Sequence, residues 1–324
     1  MTVPRPPSGL PPLVALPSQA AGLLARCRFP AAGEQVVAAV SGGADSLALL
    51  VLARAAGLDV LAIHVDHGIR PGGDSEAAVV AAAAARWGAR FECRRVSVPP
   101  GADLEARARR ARYDALPAGV LTGHTADDLA ETVLLNVCWG AGIDGLAPMA
   151  VAAGGASRPG PPVRRPLLAL RRAETEQLCA SAGLRPVRDP SNDDLRFRRN
   201  RVRRQLLPLL GEVAGRDPVP VLARQAALLG DDAALLEELA AAIDPTDTAA
   251  LRDAPDPLAR RAVRRWLRAG QAELHPPSAA DVARVLEVAA GSVVACQVAG
   301  GRRVRRSSGR LYLDEAPAGS ENRR

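Results

Sequence analysis

No lysine occurs anywhere in the 324 residues, so all 42 Lys-or-Arg positions are arginine. This excludes a Walker-type phosphate loop, whose GxxxxGK signature needs a lysine to reach the terminal phosphates. Cysteine is sparse as well. Cys27, Cys93, Cys138, Cys179 and Cys296 are odd in number, scattered, and never in CxxC spacing. That pattern excludes a disulfide framework and a structural zinc site and fits a reducing cytoplasm. Long apolar runs are missing. The longest, Ala77 to Ala85, is alanine-rich and too short to span a bilayer, so no membrane partner is expected. The N-terminus is interrupted by Pro4, Pro6, Pro7, Pro11, Pro12 and Pro17, which suits a disordered lead rather than a secretory signal. Aromatic residues make up 2% of the chain, so the 48% apolar content rests on Ala, Leu and Val. The chain shows no internal repeat.

What is present suffices for two domains and a sizeable core. A formal charge of +7 suits a nucleic-acid partner, although an Ala/Arg/Gly/Pro bias of the kind a GC-rich genome imposes weakens arginine excess as a signal. From Val36 onward short apolar runs alternate with helical patterns. Strands are predicted at Gln35 to Val40, Val60 to Val65, Arg90 to Val96 and Gly119 to Gly123. Helices are predicted near Ser46 to Ala56, Asp74 to Trp87, Asp103 to Ala115 and Ala126 to Trp139. The fold class is therefore α/β, a parallel sheet with helices on both faces, followed by a small C-terminal α+β unit. Gly154 to Pro162 reads as a loop, and Gly211 to Pro220 as a boundary. This gives a lead over 1–33, a catalytic domain over 34–215, and a linker helix with an accessory unit over 216–324. The accessory unit is expected to end in a hairpin, Ser292 to Val298 and Arg310 to Leu313, bracketing Gly300, Gly301 and an arginine cluster.

The most informative stretch is Val36 to Leu47. A β-branched strand feeds Ser41, Gly42, Gly43, Ala44, Asp45 and Ser46, which open a leucine-rich helix. Glycines permit close backbone approach, and the helix start offers unpaired N–H groups and a positive dipole end to an anion. Ser41 and Ser46 can add hydroxyl donors, and Asp45 can reach a Mg²⁺ ion that bridges phosphate oxygens. The loop is built for phosphate, and SGGADS resembles the SGGxDS loop of the N-type ATP pyrophosphatases.

Other polar constellations fall at the ends of the predicted strands, where ligands gather in such sheets. In His64-Val65-Asp66-His67-Gly68-Ile69-Arg70, polar groups could frame a base and ribose. A solvated strand end, with His64 a satisfied semi-buried histidine, stands beside that. The segment Gly123-His124-Thr125-Ala126-Asp127-Asp128-Leu129-Ala130-Glu131-Thr132 starts a helix that Thr125 or Asp127 can cap. Asp128 and Glu131, three apart, share one helical face and can grip a cation or an amine. Leu104 to Tyr113 is dense in arginine, as a solvated face or as a phosphate clamp. Arg185 to Arg204 carries eight arginines against three aspartates and one aromatic, which suits an RNA backbone.

Taken in order, SGGADS, HVDHGIR, LEARARRARY, GHTADDLAET, GLAPM at Gly145 to Met149, RPLL at Arg165 to Leu168, and DPSN followed by RFRRNRVRRQLLP resemble the tRNA(Ile)-lysidine synthase family. The resemblance is strong from Val36 to about Leu210. It is weaker at GGRRVRRSSGRLYL, which looks like the end of that family's accessory substrate-binding domain. The chain departs from the family at Gly123, where a histidine is common, at Leu129, where glutamine is common, and at Pro148, where glycine is common. It looks like the short form, without a further C-terminal domain.

The resemblance implies a ligase that adenylates the cytidine at the first anticodon position of CAU-bearing tRNA(Ile) and then joins free L-lysine to it. ATP and Mg²⁺ serve as cofactors, and a homodimer is left open. It assigns the Ser41 to Ser46 loop, His64 and His124 to nucleotide binding and Asp45 to Mg²⁺. Asp45, Asp128, Glu131, Arg107 and Arg112 go to catalysis, and Arg196, Arg198, Arg199, Asn200, Arg201, Arg203 and Arg204 to RNA. tRNA thiolation is disfavoured by the cysteine pattern. A small-molecule amidotransferase-type enzyme is disfavoured by the basic regions. A nucleotide-sensing RNA-binding module without catalysis is the alternative from another class.

Overall fold

The computed structural model describes residues 16–66, 68, 73–98, 104–149, 163–188, 193–269 and 277–314. Within it the chain divides into two compact units, one comprising 1–154 and 160–230 and the other 155–159 and 231–324.

The first unit holds a parallel sheet of β1 (Gln35–Ala39), β2 (Asp59–Asp66), β3 (Arg90–Arg95), β4 (Val120–Thr122) and β5 (Val163–Arg164), in the order β3-β2-β1-β4-β5. The four predicted strands are present, each within a residue or two of its expected bounds. The fifth, a two-residue edge, is too short to produce a period-two signal. The helices of this unit are α1 (Ala20–Leu24), α2 (Ala44–Ala55), α3 (Gly73–Arg86), α4 (Leu104–Asp114), α5 (Ala126–Cys138), α6 (Ile143–Leu146), α7 (Arg172–Ser181), α8 (Arg198–Arg201) and α9 (Leu207–Ala214). The long α10 (Pro218–Ala241) begins in this unit, and the division between units falls within it.

Strand order reverses between β1 and β4, since β1 pairs Ala38 and Ala39 with Leu121 and Thr122 on one side and Val36 with Val60 on the other. That reversal opens a crevice at the strand ends, above the loop that follows β1. Helix α2 lies at the centre of the unit. Leu47 through Ala53 are all fully buried, so the helix is apolar nearly all round and its N-terminus is held firmly in place. A second apolar cluster joins Ala126 and Ala130 of α5 to Val202, Leu207 and Val219. It brings the arginine-rich stretch after residue 195 alongside α5.

The second unit packs α11 (Thr248–Asp253), α12 (Asp256–Arg268) and α13 (Ala279–Ala290) on an antiparallel sheet, β6 (Ala295–Gln297), β7 (Arg303–Ser307) and β8 (Arg310–Asp314). Helix α12 buries Ala259, Ala262, Val263 and Leu267 on one face, the spacing of an amphipathic helix. The sequence expectation needs one correction here. The arginine cluster is the middle strand of three, not a turn between two. Val304 is buried between exposed Arg303 and Arg305, an inward residue flanked by outward charges that reads as solvated loop when taken by composition.

Candidate active site

The loop from Ser41 to Ser46 is closed on itself by one hydroxyl. Ser46 Oγ donates to Gly43 O at 2.8 Å and accepts from Ser41 N–H at 3.1 Å, with Ser41 Oγ 3.2 Å away. Gly42 sits at φ +88°, a backbone state that disfavours any side chain, and its carbonyl accepts from Val187 N–H at 2.9 Å. Gly123, just beyond β4, crosses the start of α2 so closely that a Cβ there would lie 2.5 Å from Asp45 O and 2.7 Å from its carbonyl carbon. A histidine, common in the family at this position, has no room. The first N–H groups of α2 have no intrahelical acceptor and, together with the loop amides, form an anion cradle.

Asp45, in the first turn of α2, accepts a bond from the Thr175 hydroxyl and one from Arg172 Nε at 3.3 Å. Burial pushes its carboxyl up to about 6, against the pull of Thr175 and Arg172. Arg172 then reaches α5, donating to Asp128 Oδ1 at 2.9 Å and Glu131 Oε1 at 3.1 Å. Glu131 is 0% exposed and also receives Arg199 Nε at 2.7 Å and Arg203 Nε at 2.6 Å. Arg199 bonds Asp128 Oδ1 as well, at 3.1 Å. Three carboxylates and three guanidiniums thus form one network. Burial opposes the charge on Asp128, but Arg172 and Arg199 outweigh it and hold the carboxyl below the usual range. Burial likewise opposes the charge on Arg172, and Asp128, Glu131 and Asp45 overcome it.

Local structure explains how these side chains are aimed. Asp128, not Asp127, closes the α5 cap, its Oδ2 accepting from Thr125 N–H at 2.8 Å and the Thr125 hydroxyl at 2.9 Å. Asp127 instead anchors the start of α7, receiving Arg172 N–H at 2.8 Å and the Arg171 guanidinium at 3.1 Å. The stretch Val202–Leu206 is a π-helical turn between α8 and α9, a feature that often marks functional sites, and both Arg199 and Arg203 reach Glu131.

The remaining sequence candidates separate clearly. His124 Nδ1 lies 2.8 Å from Thr122 Oγ1. Burial lowers its pKa to about 3, with Asp128 pulling the other way and Arg165, Arg109 and Arg199 adding to the depression, so the ring is neutral. His64 lies on β2 beside the end of β1. At 3% exposure, with Nδ1 3.0 Å from Val40 O, it is a satisfied core histidine that steadies the strand end before the phosphate loop. Arg107 and Arg112 lie on α4, but it is Arg109 of that helix whose charge acts on His124.

Among the arginines expected at RNA, Arg199 and Arg203 turn inward, and Asn200 is buried, donating to Asp194 O at 2.8 Å. Attraction to the buried Glu131 outcompetes exposure for the two arginines. Arg204 pairs with Asp193, Arg196 folds onto Asp194 at 2.7 Å, and Arg201 lies 3.4 Å from Gln205. Arg196, Arg198, Arg201 and Arg204 are exposed. His67, Arg70 and the DPSN segment lie outside the described residues.

Comparison with known proteins bears on this arrangement. A family described as PP-loop domain matches residues 18–210, and one described as TilS substrate binding domain matches 247–312. A tRNA(Ile)-lysidine synthase of Nocardia farcinica is 44% identical over 252 residues, covering 74% of this chain and 77% of the relative. The chain belongs to the tRNA(Ile)-lysidine synthase family. A second member, from Rhodococcus erythropolis, is 41% identical over 259 residues, covering 74% and 75%. In fold, the chain resembles the U34-tRNA thiolase NcsA from Methanococcus maripaludis. The TM-score is 0.53 at 15% identity, over 71% of this chain and 89% of that one.

Within this network, sequence reasoning missed Arg172 and Thr175. Both come from α7, and the signal that could have found them is Arg171-Arg172 followed three residues later by Thr175 at a helix start. Among the described residues, no cluster of three or more His, Cys, Asp or Glu side chains could hold a metal, and no helix is long and apolar enough to cross a membrane.

Proposed function

We propose that this chain ligates free L-lysine to C2 of the cytidine at the first anticodon position of CAU-bearing tRNA(Ile), through an adenylated intermediate. One observation carries this reading. A single guanidinium, Arg172, touches Asp45 beside the phosphate loop and both Asp128 and Glu131 of α5, so nucleotide and amine subsites border one another.

In the first step the cytidine O2 attacks the α-phosphorus of ATP and diphosphate leaves. The loop amides and the α2 N-terminus hold the phosphates, and the arginines spread the charge that builds up. In the second, the lysine ε-nitrogen forms a bond to C2, the C2–O2 bond breaks, and AMP departs with the oxygen. An ammonium lacks the lone pair for this, so the amine first gives a proton to water, and the nitrogen gives up a second proton the same way once it is bonded to C2. Asp128, ionised and 13% exposed, holds the amine. Glu131 is enclosed by three arginines, so its part is to aim Arg172, Arg199 and Arg203. His124, neutral with a pKa near 3, is too weak a base to carry a proton at neutral pH and acts as a hydrogen-bonding group.

Mg²⁺ fits the residues present, because it needs only one or two carboxylates when substrate phosphates complete its shell. Asp45 would hold it, and its charge would neutralise the departing diphosphate. The target base leaves its stack at small cost in a loop.

Thiolation finds no support in the thiols. Burial pushes Cys27 and Cys179 up to about 12, far from the thiolate that sulfur transfer needs. The test mixes protein, ATP, Mg²⁺, labelled lysine and tRNA(Ile) transcript. Label enters that RNA and AMP is released, whereas no incorporation, or equal incorporation into tRNA(Met), overturns the assignment.

A further inference from the structure

We infer that Trp139 and Arg198 form a stacking step for an unpaired base of the RNA, next to the nucleotide being modified; this rests on the RNA-ligating reading above. Trp139 is the residue at which α5 ends. It is 62% exposed, in a chain with only three tryptophans, of which Trp87 is 1% exposed. Tryptophan carries a large apolar surface, so an indole left open to water forgoes substantial stabilisation unless something covers it. The Arg198 guanidinium carbon lies 5.9 Å from the indole centroid, which places a cation over the ring. Phe197, Leu195 and Val137 are also exposed, the first two neighbours of Arg198 in sequence and the last two residues before Trp139.

The position of this pair decides what it serves. Trp139 follows Glu131 by eight residues on α5, about 12 Å along the axis at 1.5 Å per residue. Arg198 adjoins Arg199, which grips Asp128 and Glu131. Platform and acid site therefore share the same two elements, and a short run of unpaired nucleotides can touch both.

An open aromatic face beside a guanidinium matches a nucleobase and its phosphate. The base stacks with little regard to sequence, and the cation meets the backbone. Arg198 and the exposed Arg201, three residues on, keep this stretch positively charged, while Arg196 is paired with Asp194. The same charge disfavours a second copy of this chain as occupant, because a twofold contact would set these arginines against their own counterparts.

The experiment uses the full chain as Trp139→Ala, Trp139→Phe and Arg198→Ala. KM is measured for the tRNA(Ile) transcript, ATP and lysine, the first at several salt concentrations. Trp139→Ala raises the tRNA KM about tenfold, the loss of one stacked base, and leaves the ATP and lysine KM values and the salt slope as they are. Trp139→Phe restores most of the affinity. Arg198→Ala lowers the salt slope by about one ion.

A tRNA KM unchanged in Trp139→Ala overturns the inference. So does sedimentation showing that Trp139→Ala splits a dimer, which would give this face to a second copy. Anisotropy with a labelled anticodon stem-loop decides the same point without catalysis. If the wild-type chain attaches no lysine yet binds the stem-loop through Trp139, the ligation reading falls and this inference stands.

Discussion

Arg172 and Asp45 meet at 3.3 Å although 127 residues separate them in the chain. Through this contact the helix that opens the phosphate loop is tied to the acids of α5. The tie is partly enclosed, with Arg172 at 21% side-chain exposure and Asp45 at 23%. Removing one member of such a network leaves the others poorly compensated.

Arg172→Ala is expected to lower stability by about 3 kcal/mol, near the lower end for broken buried pairs, read as a shift in the urea midpoint. Ligation falls by at least about a hundredfold, because Asp45 and Asp128 no longer share a cation. Arg172→Lys recovers stability better than activity, since a single ammonium cannot serve three carboxylates in fixed directions.

The phosphate loop and the acid pair were legible in sequence because both are local. A strand, two glycines and a helix start occupy adjacent residues, and Asp128 and Glu131 are one turn apart. Arg172 was not legible, because it is one of 42 arginines and only the packing of α7 on α2 brings it to Asp45. The inward turn of Arg199 and Arg203 escaped notice for a related reason. Composition shows a basic run, but not which members a buried glutamate will claim. His64 was half legible: its place at a strand end could be read, whereas its burial and its contact with Val40 O depend on packing.

Gly123→Ala tests the close crossing of β4 and α2. The added Cβ meets backbone atoms of Asp45 and Ser46 at 2.5 to 3.0 Å, with no flexible side chain to yield. A cost of about 1–3 kcal/mol is expected from overpacking. The ATP KM rises at least about tenfold as the α2 N-terminus shifts, while the lysine KM changes less. An unchanged ATP KM would show that the cradle tolerates displacement.

Glu131→Gln and Asp128→Asn should behave differently. The glutamine leaves three arginines facing one another, so stability falls and both half-reactions fail. The asparagine can keep the α5 cap through its amide oxygen but leaves Arg172 and Arg199 less compensated, so some stability is lost and the lysine KM rises by about tenfold or more, as a charge-assisted contact to the amine is lost. Half-reaction kinetics, with adenylation and lysine transfer measured separately, distinguish the two.

His124 sets a pH dependence of stability. Its pKa is about 3 in the folded chain against about 6.5 unfolded, so between those values the unfolded state binds more protons. Stability from this group is present above pH 6.5 and is lost as pH falls towards 3. At pH 5 the loss is about 2 kcal/mol. Asp45, raised to about 6, works the other way over the same range by about 1 kcal/mol, so the readout in urea midpoints is the difference between chains: from pH 7 to pH 5 His124→Asn should lose about 2 kcal/mol less than wild type. Equal decreases would place the histidine in solvent.

Presentation of the α-phosphate of ATP to a cytidine beside Asp128 and Glu131 underlies the proposed ligation. Its most direct test incubates tRNA(Ile) with ATP labelled at the α-phosphate, in the absence of lysine. Label is expected to become attached to the RNA as AMP with release of one diphosphate, and added lysine to discharge it as free AMP. Release of ADP and inorganic phosphate, or no label on the RNA before lysine is added, would contradict it.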